Sequence, residues 1–537
     1  MTSTGHWRRL FSAFTSIYYT LGLSIYPILL LWSKNTDYVD AIEILRSLSL
    51  VVSSALLGLM VWRLVSGNWY ASGLITSIFI LLFFSYGHVY EILKNTSING
   101  IVLGRHRYLI AVWVVTAIVT TLVILLKINR PQQFALPMSV IAFVLLIFPT
   151  VAIINTLVAL GRANSSIEEN LPRELEPKGY LPDIYYIIVD AYARTDILRT
   201  RYGYDNSEFE GFLQDYGFYI ATESNANYLW THLSLSSALN MNYIPEILPD
   251  WEQGDKVPST GLIHNSVVRK NLESLGYITV GFATGWEGSE LFDADIVLTP
   301  GMRRLEFIEA RGGINEFEGL LTSTTMLKIL IDYDSLKNSG AAEFVRERLK
   351  VRFTVQREII LGLFDNLQRV PQLGSPKFVF AHILSPHGPM IFGADGEEIQ
   401  NSGSFTLDVP VELPGGSNSV LYLDQLTFVS KKVIETIETI MKESEGAAII
   451  ILQSDHGPGG GLIWDAPTED ALRDKMAVLN AYYVPSDCRQ DLYPSISPVN
   501  SFRVILNCLT DSSYEILENE TYFGIEEFVP IEAYFGK

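Results

Sequence analysis

Five long apolar stretches near the start of the sequence constrain the fold of this chain more than any other feature. They are residues 11–31, 48–64, 69–86, 108–126 and 134–160. Each approaches or exceeds the roughly 20 apolar residues that a helix needs to cross a bilayer. One such stretch could be a buried helix of a soluble protein, but five in succession predict a transmembrane domain of five helices over residues 1–160.

Charge is distributed unevenly along the chain. Residues 1–160 contain 10 Lys and Arg against 4 Asp and Glu, so the formal net charge of -20 originates in the rest of the sequence. This acidity argues against a nucleic-acid partner, because phosphate backbones attract basic surfaces. Basic residues before the first stretch (Arg8, Arg9) and between the last two (Lys127, Arg130) predict a cytoplasmic N-terminus. Five crossings then place the remainder of the chain on the extracytoplasmic face of the cell membrane.

The composition changes after the last apolar stretch. Residues 161–180 are polar and contain Pro172 and Pro177, which is typical of a linker. Residues 181–537 have a globular composition and suffice for one large α/β domain. Short runs rich in β-branched and aromatic residues predict strands that are buried on both faces. These runs are residues 184–190, 277–282, 378–384, 447–452 and 479–484. Helical patterns between them, such as 342–367 and 420–441, predict a mostly parallel central sheet flanked by helices.

The ends of three predicted strands carry metal-binding residue types. The first run ends in Asp190, the third leads into Ser-Pro-His387-Gly-Pro, and the fourth leads into Ser-Asp455-His456-Gly. Ligands bind at the carboxyl ends of strands in such folds, and Asp with His suits a divalent metal. A capped turn is an equal explanation for one Asp-His-Gly motif, but three agreeing strand ends predict a metal site. Glycine after each histidine lets the backbone turn away sharply.

A hydroxyl-rich segment between the first two predicted strands supplies a candidate nucleophile. Thr231 begins a stretch that can open a helix, whose N-terminus favours an anion such as a phosphoryl group, and a metal could activate its hydroxyl. The alternative, which the spacing alone favours, is that Thr231 or Ser234 is only an N-cap. Arg194 could neutralise phosphate charge or lie on an exposed helix surface. His382, inside the third run, is expected to be a packed core histidine.

The order of these motifs resembles the sulfatase branch of the alkaline phosphatase superfamily. With five membrane helices in front, the chain is most similar to membrane-anchored lipoteichoic acid synthases and phosphoethanolamine transferases. The resemblance implies one divalent cation, Zn, Mn or Mg, bound by Asp190, Thr231, Asp455 and His456. It also implies that Thr231 is the nucleophile and that His387 contacts the phosphoryl group or protonates a leaving oxygen.

The activity implied by the resemblance is a membrane-bound phosphotransferase that moves a phospho-head group from a membrane lipid to a cell-envelope acceptor such as a glycan. Thr231 would attack a phosphodiester, release the alcohol and carry the phosphoryl group until an acceptor hydroxyl or water takes it. Two alternatives stay open, a phosphodiester or sulfate-ester hydrolase of the same fold and a catalytically silent envelope-assembly protein. A transporter is the least expected function, because the apolar stretches show no inverted repeat.

The sequence departs from the family pattern at several positions. The nucleophile position lacks the Cys motif of formylglycine sulfatases, which disfavours that group. No histidine follows His456, so a second metal site is not expected, and Asp190 stands where the membrane transferases usually carry Glu. The two cysteines, Cys488 and Cys508, either form a disulfide in an oxidising exterior or are two buried thiols.

Overall fold

The computed structural model describes most of the chain in two compact units. The described residues are 3–36, 39, 41–98, 101–169, 175–249, 257–301, 312–332, 339–399, 405, 416–525 and 527–535. The first unit comprises residues 1–155 and 311–352 with the short stretch 402–404, and the second comprises 156–310, 353–401 and 405–537. The statements below concern the described residues of each unit.

Long helices form most of the first unit. They are α1 (Ser3–Lys34), α2 (Ile44–Ser66), α3 (Trp69–Leu93), α4 (His106–Leu126) and the start of α5 (Ala135–Glu169). A two-stranded hairpin, β1 (Ser97–Ile98) and β2 (Ile101–Val102), separates α3 from α4. Each of the five helices contains a segment that is long and apolar enough to cross a membrane. The prediction of five apolar helices is therefore confirmed, and the chain is a membrane protein.

The fifth helix extends further than its apolar stretch. Helix α5 continues to Glu169, so the first half of the segment predicted as a linker is helical. No proline interrupts the chain between the apolar stretch and Pro172, which explains why the helix can continue.

A seven-stranded sheet forms the centre of the second unit. Its strands are β3 (Ile184–Val189), β4 (Tyr219–Ile220), β5 (Ile278–Phe282), β6 (Ile296–Leu298), β7 (Lys377–Ile383), β8 (Ile449–Gln453) and β9 (Asn480–Tyr483). The spatial order is β4-β9-β8-β3-β7-β5-β6, and within it β9 is antiparallel to both of its neighbours while the other pairings are parallel. This confirms the predicted mostly parallel sheet. The sequence did not indicate β4 and β6, because two or three residues are too few to form a recognisable apolar run.

Helices cover both faces of this sheet. Consecutive residues of the central strand β3 belong alternately to two separate core clusters, one containing Ile184, Tyr186 and Ile188 and the other containing Tyr185 and Ile187. Burial on both faces is what a continuous apolar run in a parallel sheet predicts.

The remaining helices complete the two units. They are α6 (Thr195–Tyr202), α7 (Ser207–Asp215), α8 (Thr231–Asn240), α9 (Ile244–Ile247), α10 (Ser259–His264), α11 (Val267–Ser274), α12 (Glu316–Thr324), α13 (Lys328–Asp332), α14 (Gly340–Leu367), α15 (Ser417–Glu443), α16 (Glu469–Met476), α17 (Ser486–Arg489) and α18 (Pro498–Leu509). A second hairpin, β10 (Tyr522–Phe523) and β11 (Val529–Pro530), lies near the C-terminus. A disulfide joins Cys488 of α17 to Cys508 of α18 with their Cα atoms 5.3 Å apart, which decides between the two alternatives for the cysteines.

Residues 312–332 belong to the first unit although the sequence placed them within a single outer domain. Phe317 and Leu321 of α12 are buried in one apolar cluster with Ile28 of α1 and Ile44 of α2. Helix α13 contributes Ile329 to a second apolar cluster with α3 and α4. These apolar side chains therefore contribute to the core of the first unit and not to that of the sheet.

Candidate metal and phosphoryl-transfer site

Three neighbouring strands bring the predicted motifs together. Strand β3 lies between β7 and β8 and is parallel to both, so the loops that follow these strands leave the sheet at the same edge. The His387 amide donates to the carbonyl oxygen of Asp190 at 3.1 Å, and the Ala191 amide approaches Asp455 Oδ1 at 3.4 Å. The three loops are thus held against one another by their own backbone.

The side chains of these loops form one compact cluster. His456 Nε2 lies 3.5 Å from Asp455 Oδ2 and 3.8 Å from Asp190 Oδ1. One ligand atom from each of Asp190, His387 and His456 lies within 4.8 Å of the other two, and the same holds for Asp190, His382 and Asp455. The cluster therefore offers carboxylate oxygens and imidazole nitrogens at the mutual spacing of ligands around a single cation.

The cluster has the unsatisfied atoms that a bound cation would satisfy. Asp190 Oδ1, Asp455 Oδ2 and His382 Nε2 are buried without a hydrogen-bond partner in the described part of the chain. Leaving a buried carboxylate oxygen without a partner costs more than leaving a neutral group unpaired. The donor set and these orphaned atoms fit a divalent metal of intermediate hardness.

The two carboxyl groups respond to burial in opposite ways. Burial, followed by the charge of Asp190, raises the pKa of Asp455 to about 6. Burial also opposes ionisation of Asp190, but His387, His382 and His456 outweigh it and hold the Asp190 pKa below its usual value. Two buried carboxylates at this separation repel each other, and a divalent cation would remove that repulsion.

Lys475 approaches the same cluster from α16. Its ammonium nitrogen lies 3.1 Å from His456 Nδ1, and the side chain is buried. Burial and then this ammonium lower the pKa of His456 well below its usual value. The imidazole is therefore neutral, which is the form that binds metals. Lys475 was not identified from the sequence, because a lysine 19 residues after His456 has no local signature and its position depends on the tertiary fold.

Thr231 is placed at the cluster by the start of α8. Its hydroxyl oxygen lies 3.0 Å from His456 Nε2. The N-cap residue of α8 is Trp230, which makes no side-chain capping bond, so neither Thr231 nor Ser234 is the N-cap. Ser234 instead donates its hydroxyl to the carbonyl oxygen of Asp455 at 2.7 Å and so attaches the first turn of the helix to the metal-ligand loop.

His382 lies closer to the cluster than the sequence suggested. It is fully buried, as expected for a core histidine, and its Nδ1 lies 2.9 Å from the hydroxyl of Ser289. Its Nε2, however, lies 3.6 Å from Asp190 Oδ2. Its position next to the last residue of β7 was the available signal, because that position is adjacent to the ligand-bearing edge of the sheet.

Arg194 has other partners. Its Nε and Nη2 donate to both carboxylate oxygens of Asp196 at 2.7 and 2.9 Å, and its Nη1 donates to the carbonyl oxygen of Ser224 and to Oδ1 of Asn225. These bonds hold the segment that leads toward α8. Among the described cations, Lys475 is the one in contact with the cluster.

The comparisons with known proteins give similarities to solved structures. No family model and no curated protein matches the sequence. The C-terminal periplasmic domain of EptC from Escherichia coli is 14% identical over 68% of this chain and 98% of its own, with a TM-score of 0.39. The integral membrane protein lipooligosaccharide phosphoethanolamine transferase A from Neisseria meningitidis is 11% identical over 93% and 95%, with a TM-score of 0.36.

A hydrolase is among the similar structures as well. The phosphonate monoester hydrolase of Agrobacterium radiobacter is 12% identical over 64% of this chain and 80% of its own, with a TM-score of 0.39. The neighbours thus include phosphoethanolamine transferases, the group that the motif order resembles. Similarity at this level does not define an activity, which depends on the residues of the site.

Proposed function

We propose that the protein is a membrane-bound, metal-dependent phosphotransferase with Thr231 as its nucleophile. The observation that carries this proposal is the contact of the Thr231 hydroxyl with His456 beside the orphaned carboxylate oxygens of Asp190 and Asp455. A hydroxyl at the N-terminus of a helix, next to ligands for a cation, is the arrangement that phosphoryl transfer requires.

One divalent metal ion belongs to this proposal. Asp190, Asp455, His456 and the Thr231 hydroxyl would hold it, and His382 is a further candidate because its free nitrogen lies near Asp190. When bound, such an ion lowers the pKa of a coordinated hydroxyl and neutralises charge on a phosphoryl group. The ligands are compatible with Zn, Mn or Mg.

The chain's own residues divide the remaining tasks. The Thr231 oxygen forms a bond to phosphorus while the bond from phosphorus to the departing alcohol oxygen breaks, and His387 delivers a proton to that oxygen. In the second half-reaction an acceptor hydroxyl attacks the phosphothreonine, its proton returns to His387, and the bond to the Thr231 oxygen breaks. Lys475 and the free amides at the start of α8 stabilise the phosphoryl oxygens, because both carry positive charge toward them.

The substrate class follows from where the chain resides. Five apolar helices keep the enzyme in the membrane, which raises its effective concentration toward lipid-borne substrates. The donor is therefore a lipid with a phosphorylated head group, and the acceptor is an envelope glycan or another lipid. The chain crosses the membrane five times, with the metal site on the extracytoplasmic face. The basic residues that flank the helices and the Cys488–Cys508 disulfide support this placement.

The proposal is tested by trapping the phosphorylated enzyme. The full-length protein is incubated in lipid nanodiscs with a phospholipid that carries a labelled head-group phosphate, quenched in acid and analysed by mass spectrometry, and its metal content is measured in parallel. The label is expected on Thr231. Thr231→Ala should abolish both label and turnover, whereas Thr231→Ser should retain part of each.

Thr200→Ala is the matched control for this experiment. Thr200 lies exposed on α6, and its substitution removes the same hydroxyl and methyl groups away from the cluster. Full turnover in Thr231→Ala would refute the nucleophile. Turnover with water as the sole acceptor would assign a hydrolase instead, and metal-free wild-type protein without turnover would indicate the catalytically silent alternative.

A further inference from the structure

A large cleft in the first unit lies away from the residues of the metal site. Its volume is about 940 Å³, and it is lined by α2, by α3 and by residues between 312 and 348. This volume lies at the upper end of the roughly 300–1,000 Å³ of sites that enclose small ligands. The described part of the second unit contributes no residue to its lining.

The deep end of the cleft is closed by close packing between α2 and α3. A Cβ atom at Gly58 would lie 2.9 Å from Cγ2 of Thr76, so the two helices approach closely there. Both helices are long and apolar enough to cross a membrane. Aromatic residues of α3, among them Phe79 and Phe83, form much of one wall. The cleft therefore extends along apolar membrane helices.

Residues 312–332 form the other side of the cleft and are fastened to the helices at several points. The Asn315 side chain donates to the carbonyl oxygen of Glu43 at 2.9 Å, and the Met326 amide donates to the carbonyl oxygen of Phe83 at 3.0 Å. Lys328 forms an ion pair with Glu91 at 3.3 Å. These contacts make the cleft a formed feature of the unit.

The charged lining residues of the cleft differ in how they are neutralised. Arg46 forms a two-pronged ion pair with Glu318. Arg348 of α14 is half-buried and stacks on the ring of Phe344 at 3.3 Å, and it forms no ion pair with any described residue. The cleft thus combines long apolar walls with one cation whose charge is not balanced by a described carboxylate.

We propose that this cleft binds a membrane phospholipid, with an acyl chain along α2 and α3 and the phosphate toward Arg348. A phospholipid matches both properties of the cleft, because its chains are apolar and its phosphate is an anion that a guanidinium binds well. Lipid is also the surrounding solvent of membrane helices. The site does not depend on the catalytic proposal, since it shares no described residue with the metal cluster.

The test is to measure retained lipid. The full-length protein is reconstituted with phosphatidylglycerol or with diacylglycerol of the same acyl chains, transferred to mild detergent and examined by native mass spectrometry. Ser54 lines the cleft and is exposed, so Ser54→Phe inserts a ring into it. Ser53→Phe is the matched control, because Ser53 is exposed on the same helix but does not line the cleft.

Ser54→Phe should reduce retained phosphatidylglycerol by about tenfold or more, because losing the burial of even two methylenes lowers affinity by roughly that factor. Ser53→Phe should retain as much lipid as wild type. Arg348→Gln should bring phosphatidylglycerol down to the level of diacylglycerol, whereas Lys350→Gln, at an exposed position outside the cleft, should not.

Three results would overturn the proposal. They are an absence of retained lipid in wild type, equal retention in both Phe variants, and a lipid-free dimer that dissociates in Ser54→Phe, since the last would show that a second copy of the chain fills the cleft. Lipid retention is also measured in Thr231→Ala. Retained lipid in that variant without turnover would separate the cleft from the catalytic proposal, so the two can fail independently.

Discussion

Gly457 provides a sharp test of how the metal-ligand loop is positioned. A Cβ atom at this position would lie 2.0 Å from the carbonyl oxygen of Asp474 and 3.2 Å from that of Ala477. The Gly457 amide also donates to the carbonyl oxygen of Lys475 at 2.7 Å, so the loop is held against the end of α16. Both obstructing atoms belong to the backbone and cannot rotate away. Close approach of the backbone, and not a left-handed conformation, is therefore the reason for glycine here.

Gly457→Ala must move the loop by about 1 Å to restore a normal contact, and displacements of that size in active sites cost roughly 100-fold in rate. His456 is the adjacent residue, and metal-ligand distances tolerate only about 0.2 Å. We therefore expect at least 100-fold slower cleavage of a chromogenic phosphodiester, a lower metal content, and a loss of about 1–3 kcal/mol in stability from overpacking.

Gly211→Ala is the control for this substitution. Gly211 lies within α7, where an added Cβ would meet no atom within 4 Å. There the same change should leave activity and metal content intact and add about 0.5–1 kcal/mol of stability through reduced chain entropy. Wild-type metal content and turnover in Gly457→Ala would refute the argument that this close approach positions His456.

Further predictions concern the metal, a buried carboxyl group and the disulfide. Chelation should lower the thermal midpoint, because Asp190 and Asp455 lose the cation that offsets their repulsion, and added metal should restore it. Burial raises the pKa of Asp474 to about 6. The folded protein thus binds this proton more tightly than the unfolded chain, so the stability of wild type relative to Asp474→Asn should fall as the pH rises from about 4 to about 6 and level off above that. A stability difference that is independent of pH would contradict this. The double variant Cys488→Ser/Cys508→Ser should lose about 3 kcal/mol in denaturant unfolding, as expected for a closed loop of 20 residues, and wild type should match it after reduction.

The sequence was most informative where one physical constraint acts on many residues. Membrane-spanning stretches and strands buried on both faces must be continuously apolar, so all five helices and the five main strands could be located. The convergence of Asp190, His387 and Asp455 followed from the same sheet, because parallel neighbouring strands end at one edge. Their placement required no knowledge of side-chain contacts.

Other features depend on contacts between distant segments and carry no local signal. Phe317 and Leu321 lie in a short amphipathic helix that could pack equally well against a sheet or against membrane helices. The tertiary fold alone decides that α12 belongs to the first unit. His382 was classified by its burial, which is correct, but burial does not reveal that its second nitrogen faces a carboxylate.

Lys475 changes how the acidity of the chain bears on a phosphate substrate. Residues 161–537 contain 55 Asp and Glu against 29 Lys and Arg, which would repel an anion at long range. That repulsion is screened beyond about 8 Å at physiological ionic strength. Within that distance of Thr231, a buried ammonium, a helix N-terminus and a candidate cation site all favour a phosphoryl group. The acidic surface therefore does not exclude a phosphorylated substrate. Confinement to the membrane, in place of electrostatic attraction from solution, would then supply the encounter with a lipid-borne donor.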